Sequence, residues 1–268
     1  MRAIPLALAL SLAVPASSLA AQATRDQSRL VFNVGLGYAG GTDLWEVTGQ
    51  RLTDDSSLPV RTDFMNVQRD VGPTLTFGVK GIYFRGDNFG LLGEAYFLGL
   101  GLRDACTLTT SSGSGRNAEV CARINGAERS ASAVQVATGV IYRVSSRRTL
   151  SPYARATIGL LASNRSTIAL VGAFTNPDNQ LVDVDVYPEP NSTRVSPTGT
   201  LALGMTAALA PGYQVRWEVR DNIVAMREVT GVSQQDGIAP PSAQRLHHLF
   251  ALEVGFDVVL ERRRGRRY

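Results

Sequence analysis

The chain has 268 residues, a net charge of +4, and a mean hydropathy of −0.01. Beyond the N-terminus no apolar run approaches the roughly 18 residues of a membrane helix, which excludes an inner-membrane helical protein. Much of the positive excess lies in Arg262, Arg263, Arg264, Arg266 and Arg267. In an exported chain, such a tail reads as a solvated or headgroup-contacting terminus, so no nucleic-acid partner is expected.

Residues 1–23 read as a cleaved secretory leader. Arg2 supplies the positive end and Ile4 to Val14 the apolar core. Ser18-Leu19-Ala20 or Ala21-Gln22-Ala23 supplies the small-residue site, placing cleavage near 20 or 23. The core is shorter than the ~20 residues of a span, and Pro5 and Pro15 interrupt it. No cysteine stands directly after the leader, so a lipid anchor is not expected. About 245 residues remain, enough for one large domain or two small ones. The expected division is a barrel over 24–261 and a basic tail over 262–268.

Eight segments then alternate apolar and polar residues with the period of a strand. In the first, Leu30, Phe32, Val34, Leu36 and Tyr38 share one face, and Val31, Asn33, Gly35 and Gly37 the other. The second, Thr74 to Phe84, sets Leu75, Phe77, Val79 and Tyr83 against Thr74, Thr76, Gly78 and Lys80. In the third, Phe89 to Leu102, both faces are largely apolar, and Glu94 alone turns the even-numbered face inward. Beyond it, Cys106 and Cys121 bracket a Ser/Gly-rich stretch in a chain bound for an oxidising compartment. A disulfide is the expectation, worth about 3 kcal/mol for so short a loop.

The fourth segment sets Val134, Val136, Val140 and Tyr142 against Gln135, Gly139 and Arg143. The fifth sets Ala154, Ala156, Ile158 and Leu160 against Tyr153, Arg155, Thr157 and Gly159. The sixth opposes Val195, Leu201, Leu203 and Met205 to Ser196, Thr198, Thr200 and Thr206. The seventh is the clearest, with Val215, Trp217 and Val219 alternating with Gln214, Arg216, Glu218, Arg220 and Asn222. The eighth opposes Phe250, Leu252, Val254, Phe256 and Leu260 to Ala251, Glu253, Gly255 and Asp257.

The connections sort by length. Arg85–Asn88, Ser145–Thr149 and Ala210-Pro211-Gly212 are tight turns, whereas roughly Gly40–Asp70, Asp104–Ser130, Ser163–Arg194 and Arg227–Ala243 are long. Short turns on one side and long loops on the other mark a transmembrane barrel. The expected fold is all-β, an eight-stranded antiparallel up-and-down transmembrane β-barrel with both termini on the short-turn, periplasmic side. A buried charge on the lipid face costs ~2–4 kcal/mol at mid-membrane. Lys80, Glu94, Arg143, Arg155, Arg216, Glu218, Arg220, Glu253 and Asp257 are therefore expected to point inward as an ion-pair network. Eight strands leave room only for side chains, so the expected lumen is filled. Asp221 breaks the alternation, which places it near the outer rim or at a bulge. A soluble lipocalin-like barrel would reverse the faces, and the run Arg216, Glu218, Arg220 beside an outward Trp217 argues against it.

On the leader, the eight segments, the run Gln214 to Asn222 and the closing strand Phe250 to Leu260, the chain resembles the OmpA-like family of small outer-membrane barrels. The resemblance covers nearly the whole mature chain. It implies a monomer in the outer membrane of a diderm bacterium, surrounded by lipid and inserted by the outer-membrane assembly machinery. It also implies a structural, adhesive or surface-contact role. Two features depart from the family. Its last strand commonly ends on an aromatic residue, a part that falls here to Phe256 or to Tyr268 beyond the arginines, and the peptidoglycan-binding module of the larger members is not expected.

A narrow porin-like channel is the first alternative. A lipid A- or phospholipid-modifying barrel enzyme is the second, with His247 and His248 the only imidazoles and Ser233 and Ser242 the nearest hydroxyls in sequence. No motif links them, so no catalytic residue is assigned and no enzyme is expected. No cofactor is expected either. Asp43, Asp54, Asp55, Asp63 and Asp178 match no Ca²⁺ loop, and no metal site is assigned. Asn164-Arg165-Ser166 and Asn191-Ser192-Thr193 match the glycosylation pattern by coincidence in a bacterial-type protein. Any recognition is expected in the long loops.

Overall fold

The computed structural model describes residues 29–261, apart from 57, 111, 126, 145–148, 189–193 and 236. The leader and the basic tail with Tyr268 lie outside the described residues, as do most of the second short turn and Asn191-Ser192-Thr193.

Eight strands close into a ring. They are β1 (Arg29–Ala39), β4 (Thr74–Phe84), β5 (Phe89–Leu108), β6 (Glu128–Arg143), β7 (Leu150–Ser163), β10 (Val195–Ala210), β11 (Tyr213–Val229) and β12 (Ser242–Glu261). Each pairs antiparallel with its neighbour in chain order. The ring shuts where β1 meets β12, from Arg29↔Glu261 to Ala39↔Ala251, without a register shift. The four remaining strands and one helix lie within the long connections: β2 (Thr42–Asp54), β3 (Arg61–Gly72), β8 (Leu170–Thr175), β9 (Leu181–Tyr187) and α1 (Gly115–Ile124).

The parity read from sequence holds around the wall. Ile158 and Leu203 point out and are 73% and 68% exposed, whereas Lys80 and Arg220 point in and are 2% and 0% exposed. The third segment has its even-numbered residues inside, as Glu94 indicated. An apolar exterior on a closed ring of strands belongs in lipid, where the paired ladders keep the wall's peptide groups from facing hydrocarbon unsatisfied. This is the build of an outer-membrane barrel. Inside, glycine makes room for the network: a Cβ on Gly35 would overlap the Glu253 carboxylate. At the short-turn end, Gly212 takes φ +86° in the turn between β10 and β11.

The long connections are structured. β2 and β3 form a hairpin, and β3 continues the sheet by pairing with Gly101–Leu108 of β5 above the membrane. β8 and β9 form a second hairpin. The Ser/Gly-rich stretch holds α1, capped by the Ser114 hydroxyl, which accepts from the Asn117 N–H at 3.2 Å. Asn117, Val120, Cys121 and Ile124 form its buried face, at helical spacing. Ten residues are too few for a stable helix alone. The Cys106–Cys121 disulfide, with Cα atoms 5.4 Å apart, ties α1 to β5.

In detergent, the folded barrel is expected to migrate faster on a gel when unheated than after boiling. A single band at one position under both conditions would contradict a closed ring.

Candidate functional site

The lumen is filled in three layers. At the short-turn end, Val31, Ile82, Phe84, Leu92, Ile141 and Tyr153 form an apolar floor. The middle is ionic. Lys80 Nζ bridges Glu218 (2.9 Å) and Glu253, while Arg155 bridges Glu94 (2.9 Å) and Glu218 (2.6 Å). Arg220 completes the set on Glu253 (3.2 Å) and Glu94 (3.4 Å). Three cations and three carboxylates thus form one neutral cluster drawn from β4, β5, β7, β11 and β12. Tyr153 donates to Glu218 at 2.7 Å, and Thr157 to Glu94 at 3.3 Å.

Two of the nine inward residues form a separate pair. Arg216 meets Asp257 through two guanidinium nitrogens (2.8 and 3.1 Å), and Asn33 donates to the same carboxylate at 2.6 Å. Arg143 is buried but joins neither group. Among the described residues it makes no ion pair, and its guanidinium lies 3.7 Å from the centre of the Phe84 ring. The expectation of one nine-member network is corrected to a six-member cluster, a pair and a stacked arginine. Parity alone could place these charges inside, but it carries no information on their height along the barrel. It also missed Tyr96, whose ring centre is 3.8 Å from Arg220 and whose hydroxyl donates to Thr76 at 2.6 Å.

Above the cluster the lumen turns apolar again. Leu98, Leu100, Leu161, Val224 and Leu249 of the wall run without a break into Trp45, Met65, Val120, Ile124, Leu170 and Tyr187 of the loops. The loops therefore form a cap with a core shared with the barrel. Polar anchors pin it. Arg69, 1% exposed, holds Asp104 through two bonds of 2.6 and 2.8 Å, and its Nη1 donates to the Thr167 carbonyl. The Trp45 indole donates to the same carbonyl at 2.9 Å. Tyr187 and the Ser233 N–H both donate to Gln50 Oε1, which joins the third and fourth loops to the first.

The loop acids fall into place as structure. Asp54 and Asp63 are buried at the start of α1. Asp63 accepts from the Asn117 amide (2.8 Å) and the Ser112 hydroxyl (2.7 Å). Burial by itself would raise the Asp54 carboxyl. Hydrogen bonds from the Ser56 and Ser114 hydroxyls and the Ser56 N–H, with Arg116 nearby, outweigh it and hold the group at about 2, below its usual 3.8. Among the described residues no cluster of three or more His, Cys, Asp or Glu side chains is arranged to hold a metal.

The histidines part company. His248 faces outward, and its Nδ1 donates at 2.7 Å to Asp221, which as a carboxylate can only accept. Asp221 is thereby partnered on the outer wall, and the β11–β12 register runs through it without a bulge. His247 faces Glu228 at 3.7 Å, and Glu228 is held by Arg245 at 2.6 Å. No hydrogen bond joins either histidine to Ser233 or Ser242. The Ser233 hydroxyl lies 2.7 Å from the carbonyls of Gln235 and Ile238. A shallow apolar concavity of about 670 Å³ lies on the lipid side of the wall beside Ala154, Ala156 and Leu203. It is relief in a lipid-facing surface and holds no convergent set of polar groups.

No protein-family model matches the sequence, and no curated protein does. Solved structures similar to the chain include the outer membrane protein OprG from Pseudomonas aeruginosa, at 9% identity and a TM-score of 0.47, covering 88% of this chain and 98% of that one. Neisserial surface protein A (NspA) is similar at 9% identity and a TM-score of 0.41, covering 85% and 96%. Ail of Yersinia pestis is similar at 11% identity and a TM-score of 0.36, covering 87% and 99%.

Two outcomes are expected. Glu218→Ala strands Lys80 and Arg155 in the interior and should destabilise the barrel by about 3–5 kcal/mol in urea unfolding from lipid vesicles. The depressed Asp54 carboxyl stabilises the cap above pH 3.8, and that contribution is lost as pH falls through about 2. Limited proteolysis of the cap should therefore rise between pH 4 and pH 2 in the native protein. The rise should be smaller in Asp54→Asn, where Asp63, also held below the usual carboxylate range by bonds from Asn117 and Ser112, carries the remaining pH dependence.

Proposed function

We propose that the protein is a non-conducting, non-catalytic, monomeric outer-membrane barrel whose task is carried by its extracellular cap, as a structural or surface-contact element. The observation behind this reading is the unbroken filling from the lumen into the cap. A transport path would have to part the six-member ion cluster and then the apolar core above it. Separating one buried ion pair alone costs about 3–5 kcal/mol. By contrast, a cap braced by a disulfide, a capped helix and two hairpins is a rigid platform, and rigid surfaces bind without the entropy cost of ordering loops.

A narrow channel and a lipid-modifying enzyme remain the competing roles. Among the described residues no hydroxyl is hydrogen-bonded to His247 or His248, which supports the non-catalytic reading. The decisive measurement is conductance in planar bilayers alongside attachment of cells displaying the barrel. Native protein is expected to give no steady current, and attachment is expected to fall when Fab fragments cover the cap. Sustained unitary currents that change with Glu218→Ala would make the protein a channel and remove the basis of this reading.

A further inference from the structure

The nine charges buried inside the wall do not balance. Lys80, Arg143, Arg155, Arg216 and Arg220 stand against only Glu94, Glu218, Glu253 and Asp257. The six-member cluster is neutral, and so is the Arg216–Asp257 pair, which leaves the positive charge of Arg143 over. Of the charged side chains around it, Arg216 acts on Arg143 most strongly. Arg29 and Asp87 act on it from the mouth, with opposite signs.

The same two arginines hold N–H donors without acceptors. Arg143 Nε and Arg216 Nη1 are buried and, among the described residues, make no hydrogen bond. Both groups lie against one apolar floor. The Arg143 guanidinium is 3.7 Å from the centre of the Phe84 ring, and that of Arg216 is 4.7 Å from the centre of Tyr153. Phe84 and Tyr153 pack in a single cluster, and Tyr153 stands opposite Arg143 in the β6–β7 ladder. A ring face offsets only part of what burying a guanidinium costs, and a buried donor without an acceptor adds to that cost. A second cation beside the first raises it again.

We infer that one small monovalent anion, chloride, binds between Arg143 and Arg216 at the short-turn end of the lumen. A single negative charge brings the inward charges to zero. Accepting from Arg143 Nε and Arg216 Nη1, it satisfies both donors with charge-assisted bonds and screens the two cations from each other. Asp257 cannot take this part, because Arg216 and Asn33 already hold its carboxylate. Burial sets the size of the ion. Arg143 and Arg216 are 2% and 1% exposed, so the space they share suits a single-atom ion and not an organic acid or a phosphate. The inference concerns the lumen and needs no partner for the cap, so it holds or fails independently of the surface-contact role.

The test is urea unfolding from lipid vesicles at constant ionic strength, with sodium chloride exchanged stepwise for sodium gluconate, whose anion is too large for the site. Above the dissociation constant, a tenfold rise in chloride should favour the folded native barrel by about tenfold. Arg143→Met removes the surplus charge and should abolish that response. Arg51→Gln, at an exposed position of the cap, should leave it as in the native protein. Crystals of the native protein grown in bromide should show an anomalous peak within hydrogen-bond reach of Arg143 Nε and Arg216 Nη1, a readout that does not depend on either variant folding. Equal stability in chloride and gluconate, a chloride response that survives in Arg143→Met, or no bromide at that position would each overturn the inference. A bromide peak without chloride-specific stabilisation would mark an adventitious ion only and overturn it as well.

Discussion

Everything in this molecule depends on the pairing of its first strand with its last. In hydrocarbon an unpaired peptide group costs several kcal/mol, so an open sheet of this length could not stay in a membrane. The eleven residue pairs from Arg29↔Glu261 to Ala39↔Ala251 remove the edge. Once the ring is closed, its two faces have different solvents, and the period-2 alternation of every strand becomes a sorting of residues between lipid and lumen.

That sorting creates the problem the ionic cluster solves. Charged residues kept off the lipid face are forced into a lumen too narrow for much water. Left alone there, each would carry a desolvation penalty of several kcal/mol. Lys80, Arg155 and Arg220 are matched with Glu94, Glu218 and Glu253 because the shared heights of five strands bring them into one layer. Apolar layers below and above keep competing water from both mouths, which strengthens each bond in the cluster. Asp221 is the exception outside, and His248 partners it there.

The cap extends the same logic beyond the membrane. Wall strands β5, β11 and β12 continue past the apolar band, and the loops pack onto these extensions instead of waving in solvent. The Cys106–Cys121 bond fixes a helix that could not persist alone, and Arg69, Trp45 and Gln50 satisfy loop carbonyls and N–H groups that burial would otherwise strand. The outcome is a closed vessel with a rigid lid.

The number and facing of the wall strands, the sorting of short and long connections and the Cys106–Cys121 link were all legible in the residues. Each is a local property: a period of 2, a turn dipeptide, a charge that lipid rejects. Even the ambiguous third strand was settled by the single Glu94. What the residues could not show is which inward charges meet. That depends on strand stagger around a ring, so Arg143 was grouped with carboxylates it never reaches and Tyr96 went unnoticed beside Arg220. The cap was equally hidden. The strands β8 and β9 and the helix are short, and the buried faces of β2, β3 and α1 hold Gln50, Asp54, Asp63 and Asn117, polar residues that become core only because loop segments distant in sequence supply their hydrogen-bond partners.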